Sequence, residues 1–354
     1  MISDQFDTPN TTHEDDKVKR DRWGRYLLTH PVTGTVEPFT RATTFAKSIS
    51  DTFTLSQWSQ RMVAKGMAMR PDLAALMHSK DVAADRAEVN DICETAKAAA
   101  GDKVAANLGT ARHAFTELVD SRPDEDPEDL VPAEALPDVL AYQEALRQAG
   151  FVVADYGIER ITAVPEWGVA GTLDRLLNQR LGAPLVVGDL KTGRDLSYGW
   201  NEIAIQLLIY AKGADEHGLY DLATGTWDTR TCGSVLTNFA VVMHLPVGKA
   251  KCTLYRVDLK AAERAAYLCR DVREWRKRRD LATQWVISEV EHEPPAESRE
   301  PTWEERFGSA TTRGELSALY REAVNVLFGP NPDRLDKLVE TGQRRLRELE
   351  EKSG

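Results

Sequence analysis

The chain has 354 residues and a formal charge of −11, with 42% hydrophobic and 29% charged residues, the composition of a globular protein able to bury a sizeable core. That charge excludes a uniformly basic nucleic-acid binder but not a local basic surface, because ten Lys/Arg between Lys17 and Arg70 face only Asp21, Glu37 and Asp51, a local charge of +7. There is no apolar run of about 18 residues to span a membrane, the polar start MISDQFDTPNTTHEDD has no signal-peptide core, and Cys93, Cys232, Cys252 and Cys269, lacking CxxC spacing, read as reduced, mostly core thiols of a cytoplasmic protein.

Residues 1–16 are polar enough to be disordered. Residues 17–45 predict a short hairpin or irregular segment around the Pro31–Gly34 turn. From about Leu55 to Val119 the spacing is helical, with separate helices over 83–100 and 104–119. An acidic, proline-marked loop at 120–133 leads into a helix from about Pro132 to Gln148. The pattern then changes to strands over Ile158–Val164, Gly168–Leu177 and Leu185–Leu190, followed by a helix over Tyr198–His217. Strands follow at Asn238–Leu245 and Cys252–Leu259, then a long charged helix over Lys260–Val290. A linker at 292–303 precedes short helices at Gly314–Leu327 and Arg334–Glu350. This order predicts an α/β core over 151–291, behind a helical flank at 17–150 and ahead of a small helical appendage at 304–354.

Two predicted strands carry acids: Gly171-Thr-Leu-Asp174-Arg175 and Val186-Val-Gly-Asp189-Leu190-Lys191-Thr-Gly193. Side chains alternate along a strand, so Asp189 and Lys191 project from one face. Paired carboxylates suit Mg²⁺ or Mn²⁺, and such an ion polarises a phosphate and lowers the pKa of an attacking water. A lysine beside them offsets charge developing on the phosphate. Taken alone the triplet also fits charges at the ends of surface strands. Gln206 and Tyr210 share a helix face at i, i+4. His113 lies on a predicted helix with Glu117 one turn on, and Glu159 opens the strand before Asp174.

Together, G-x-x-x-H at 109–113, G-x-x-D at 171–174, D-x-K-T-G at 189–193 and Q-x-x-x-Y at 206–210 resemble the motif series of RecB-like nucleases in the PD-(D/E)XK superfamily. Arg41-Ala-Thr-Thr-Phe and Leu55-Ser-Gln-Trp58 resemble their opening segment. The sequence looks most like the actinobacteriophage exonucleases of this type. The resemblance covers roughly 105–260 and implies a PD-(D/E)XK restriction-endonuclease-like core, a central mixed sheet flanked by helices. It implies His113, Asp174 and Asp189 as metal ligands with the backbone carbonyl of Leu190, and Lys191 as the catalytic lysine. Gln206 and Tyr210 would contact DNA or brace the site. Imidazole among oxygen ligands favours Mn²⁺ over Mg²⁺.

Many relatives carry an iron–sulfur cluster on one upstream cysteine and a tight C-terminal trio. Cys232, Cys252 and Cys269 are too widely spaced for that trio, so no cluster is expected. The expected activity is exonucleolytic resection of DNA ends in recombination or repair. Alternatives are a structure-specific or single-strand endonuclease, or an inactive nuclease fold that binds DNA. Arg41, Lys47, Arg61, Lys65 and Arg70 are expected to line the DNA approach, with Trp58 either stacked on a base or packed in the core. The run Arg273–Arg279 reads as a solvated helix face, given Asp271, Glu274 and Asp280 beside it. The amphipathic tail leaves open core packing, homo-oligomer formation or docking of a single-strand annealing protein. No membrane association is expected, and a phage-encoded chain would act in the host cytoplasm.

Overall fold

The computed structural model describes residues 18–179, 184–285, 300–327 and 332–351. The chain divides into two units, Met1–Arg279 and Asp280–Gly354. The segment expected to be disordered, and residues 286–299 of the expected long helix and linker, lie outside the described residues.

In the first unit, β1 (Tyr26–Thr29) and β2 (Val36–Arg41) form a hairpin, one of the two forms expected there, followed by α1 (Ala42–Ala46). The helical flank comprises α2 (Phe53–Met69), α3 (Pro71–His78), α4 (Arg86–Ala99), α5 (Asp102–Ser121), α6 (Pro127–Leu130) and α7 (Leu136–Ala149). Then come β3 (Val152–Val164), β4 (Val169–Asn178), β5 (Val186–Lys191), α8 (Trp200–Glu216), β6 (Leu219–Asp221), β7 (Thr226–Asp228), β8 (Phe239–His244), β9 (Thr253–Asp258) and α9 (Leu259–Trp275).

The strands form one mixed sheet in the order β7-β6-β3-β4-β5-β8-β9, with the β1–β2 hairpin joined through β2 to β4. β3, β4 and β5 make an antiparallel meander, and β8 returns parallel to β5 after α8. A parallel return needs a crossover connection, which α8 provides. β5 is buried from Val186 to Leu190, as expected of a strand covered on both faces. On one side Leu173, Leu176 and Val187 pack with Ile205, Leu208 and Ile209 of α8 and with Leu259 and Ala266 of α9. A second cluster joins Tyr142 and Leu146 of α7 to Leu177, Val186, Leu190 and Met243. The α/β class with a central mixed sheet flanked by helices is therefore as expected.

Three expectations need correction. The charged helix ends at Trp275 because its buried stripe of Ala262, Ala266 and Cys269 is not continued, and Trp275 is exposed. The short β6–β7 hairpin was not anticipated, whereas α3 falls inside the stretch expected to be helical. Of the four cysteines, all free, only Cys269 is buried and the others are half-buried, so they are not mostly core. In the second unit, α10 (Trp303–Ser309) begins at a Thr302–Glu305 capping box, followed by α11 (Arg313–Leu327) and α12 (Pro332–Glu351). Among the described residues no helix is long and apolar enough to cross a membrane.

Candidate active site

The sheet register sets three carboxylates in one row. β3 and β4 pair with Ile158 opposite Arg175 and Arg160 opposite Leu173, so Glu159 faces Asp174. β4 and β5 pair with Arg175 opposite Gly188, and one residue further along that register Asp174 meets Asp189. Directly opposed residues hold their Cβ atoms about 5 Å apart. Acids distant in sequence thus become neighbours on one face. Asp174 Oδ2 also accepts a hydrogen bond from the Leu190 N–H at 2.7 Å, which ties the two strands together at this point.

Glu159 reaches the row through local strain. The β3–β4 register shifts between Val153 and Ile158, and Glu159 adopts φ +48°. Left-handed backbone at a non-glycine residue is costly and persists where the surroundings over-determine it. Here Glu159 Oε1 lies 3.2 Å from the Arg175 guanidinium.

From α5, His113 places Nδ1 3.7 Å from Asp174 Oδ2. One ligand atom each from His113, Glu159 and Asp174 fall within 4.8 Å of one another. Asp189 is not in this tight group, because its Oδ2 is drawn to Lys191 Nζ at 2.6 Å. Glu159, a secondary candidate from sequence, therefore stands closer to the histidine group than the strand register alone would have suggested.

Asp189 is fully buried, and neither of its oxygens accepts a hydrogen bond of ordinary geometry. The short contact to Lys191 is thus an ion pair rather than a well-aligned hydrogen bond. Burial pushes the Asp189 carboxyl well above the usual range against the pull of Lys191, and Asp174 pushes it the same way. For Lys191, burial acts downward, but Asp189 and Asp174 outweigh it and hold the ammonium charged. A buried carboxylate with so little compensation is costly, and a cation relieves that cost.

Two motif glycines are there for space. A Cβ on Gly109 would stand 2.6 Å from Thr192 Oγ1, so glycine lets α5 approach the loop after Lys191. A Cβ on Gly171 would stand 2.6 Å from Tyr210 Cε1 and 3.1 Å from Ala42 Cβ. Gln206 Nε2 donates to Tyr210 Oη at 2.8 Å. With 3% of its surface exposed, Tyr210 braces the floor of the cleft. That cleft, of about 390 Å³, is lined by Arg41, His113, Glu159, Gly171, Asp174 and Tyr210 among others.

Glu117 does not line this cleft. Together with Asp120 and Glu159 it lines a neighbouring cavity of about 560 Å³. The sequence reading missed the support beneath the row. Arg175, 2% exposed, donates from Nε to Asp120 Oδ2 at 2.6 Å, and Tyr142 Oη donates to the same oxygen at 2.7 Å. Two signals were available: an arginine within the apolar run Leu173–Leu177, and His113, Glu117 and Asp120 at i, i+4, i+7 on one helix face.

Of the residues expected along the DNA approach, Arg41 lines the cleft and Lys47 is exposed just beyond α1. Trp58, Arg61 and Lys65 form an exposed stripe on α2, away from the cleft lining. Trp58 is 40% exposed and so is not a core residue. α2 instead packs on α4 at Gly66, where a Cβ would collide with the Ala96 backbone. No protein-family model matches the chain, and no curated protein matches it.

Proposed function

We propose that the protein is a metal-dependent deoxyribonuclease of the PD-(D/E)XK kind, RecB-like, hydrolysing phosphodiester bonds at DNA ends in recombination or repair. One observation carries this reading: His113 from α5, Asp174 from β4 and Asp189 with Lys191 from β5 are brought side by side, with Gln206 and Tyr210 of α8 beneath them. The order α5, β3–β4–β5 meander, α8, then β8 parallel to β5 supports the same reading.

The donor set fits a divalent cation. Asp189 offers two buried oxygens without hydrogen bonds, next to Asp174 and an imidazole. His113, Asp174, Asp189 and the Leu190 carbonyl would hold Mg²⁺ or Mn²⁺, with Glu159 alongside. When bound, the ion supplies charge that polarises the phosphate and makes water a better nucleophile. The chain's own groups do the rest. Protonated Lys191 offsets negative charge developing on the phosphate. Arg41, at the cleft, receives a neighbouring phosphate. Tyr210, fixed by Gln206, keeps α8 against β4 and so holds the row in place.

The test is digestion of end-labelled linear and closed circular DNA with Mg²⁺, Mn²⁺ or EDTA. Metal-dependent loss of linear DNA alone is expected, greater with Mn²⁺. Cutting of circles would replace the exonuclease with an endonuclease. Absence of cleavage with either ion would overturn the enzymatic reading.

A further inference from the structure

α9 is followed directly by Arg276-Lys277-Arg278-Arg279, part of a run whose acidic neighbours suggested a neutralised, solvated face. Two of those acids, Asp271 and Glu274, are engaged elsewhere than with Arg273, Arg276 or Arg279. Asp271 pairs with Arg270 at 2.9 Å, and Glu274 pairs with Lys277 at 2.5 Å. Arg273 Nη2 donates to Thr40 Oγ1 at 3.1 Å, with its guanidinium 5.9 Å from the Phe45 ring centre. Arg276 Nη2 donates to the Ser48 carbonyl at 3.1 Å. Arg279 Nη1 donates to the carbonyls of Arg276 and Arg278, each at 2.9 Å. All these acceptors are neutral.

Among the described residues, Arg273, Arg276 and Arg279 therefore make no ion pair, and neither do Arg41 and Lys47. Five cations keep their charge in a chain of net charge −11. They also belong to one stretch of surface. Thr40 and Ser48, which receive Arg273 and Arg276, bracket α1, and Arg41 and Ala42 line the cleft. From Ala42 to Ser48 is about 10 Å at helical rise, which along one DNA strand is about three phosphates.

The geometry points to a binding track for the phosphate backbone of duplex DNA, leading from Arg41 at the cleft over Lys47 to Arg273, Arg276 and Arg279 at the end of α9. The choice of DNA as the polyanion rests on the nuclease reading. Neutral acceptors fix the guanidinium groups without cancelling their charge, so little order is lost when phosphates bind. The track runs along α9 and not along the exposed stripe of α2.

The test uses the full chain carrying Lys191→Ala, without metal, and the fluorescence anisotropy of a labelled duplex of about 20 base pairs between about 50 and 200 mM salt. Arg276→Gln with Arg279→Gln should lower the slope of log affinity against log salt by about 2 and weaken binding at least about tenfold. Lys249→Gln with Lys251→Gln removes the same charge from the β8–β9 turn and should leave both within about twofold of the parent. Arg279→Gln alone, which breaks hydrogen bonds only within its own turn, should lower the slope by about 1, and Arg276→Lys should retain binding. Thermal melts confirm that each variant is folded. An unchanged slope in the α9 variants, equal loss in the β8–β9 control, or no binding by the parent would overturn the proposal. Because the readout is binding, a chain that cuts nothing with any metal yet loses DNA through α9 would overturn the nuclease reading and leave the track standing.

Discussion

Gly171 shows how a single residue sets the site. Its missing Cβ is the space taken by the Tyr210 ring and Ala42. Gly171→Ala is expected to destabilise the protein by about 1–3 kcal/mol through overpacking, measured by urea denaturation. Tyr210→Ala in the same chain should recover part of that loss, and additive effects would show that the two do not meet. Asp138 offers a pH-dependent case. Burial pushes its carboxyl up, but the Arg112 guanidinium at 2.8 Å and the N–H groups of Gly248 and Ala250 outweigh burial and hold it below the usual range. A folded-state pKa below the unfolded value of 3.8 gives stability that is present above that value and lost as pH falls through the folded pKa. Asp138→Asn should therefore cost about 3–5 kcal/mol at neutral pH, by leaving Arg112 buried and unpaired. The difference from wild type should shrink below about pH 4. A gap that stays constant with pH would contradict this assignment.

Among the elements, the irregularity in β3 matters most. It holds Glu159 opposite Asp174 at a strained φ, and the Arg175–Asp120–Tyr142 network supports it from below. If Glu159 shares the cation with His113 and Asp174, Glu159→Gln should weaken Mn²⁺ binding by about 10–100-fold in calorimetry, a loss typical of metal-site partners. Glu117→Gln, in the neighbouring cavity, should leave binding unchanged. Equal effects of the two would remove Glu159 from the group. These elements also show what the sequence carried. β4, β5, α8 and β8 were legible because their apolar runs are long and bounded by turns. The Asp189–Lys191 pairing on one face followed from strand alternation. The opposition of Asp174 and Asp189 was not legible, because register is set across the sheet. The first half of β3 alternates weakly before the register shift, and β6 and β7 have three residues each, too few for a period. Trp58 was ambiguous because periodicity cannot tell a core face from an uncovered one.

At the scale of the whole molecule, an acidic chain can act on an acidic polymer only if its charge is segregated. Arg41, Lys47, Arg273, Arg276 and Arg279, which make no ion pair among the described residues, gather between β2, α1 and the end of α9, while Lys97, Arg147 and Arg345 are paired within their own helices. Steering by such a surface depends on ionic strength and not on net charge. In the second unit, Phe307, Ala310, Leu316 and Ala323 form a small core of their own. Self-assembly and docking of a single-strand annealing protein are both proposals for that unit. Its removal should leave hydrolysis by the first unit intact if the chemistry belongs to the row on β3, β4 and β5. The central claim is tested most directly by single-turnover hydrolysis of an end-labelled duplex in Mn²⁺ by wild type, Asp174→Asn and Lys191→Ala. The prediction is cleavage by wild type that EDTA abolishes and that each substitution slows by at least about a hundredfold; undiminished cleavage by Lys191→Ala, or cleavage that survives EDTA, would contradict it.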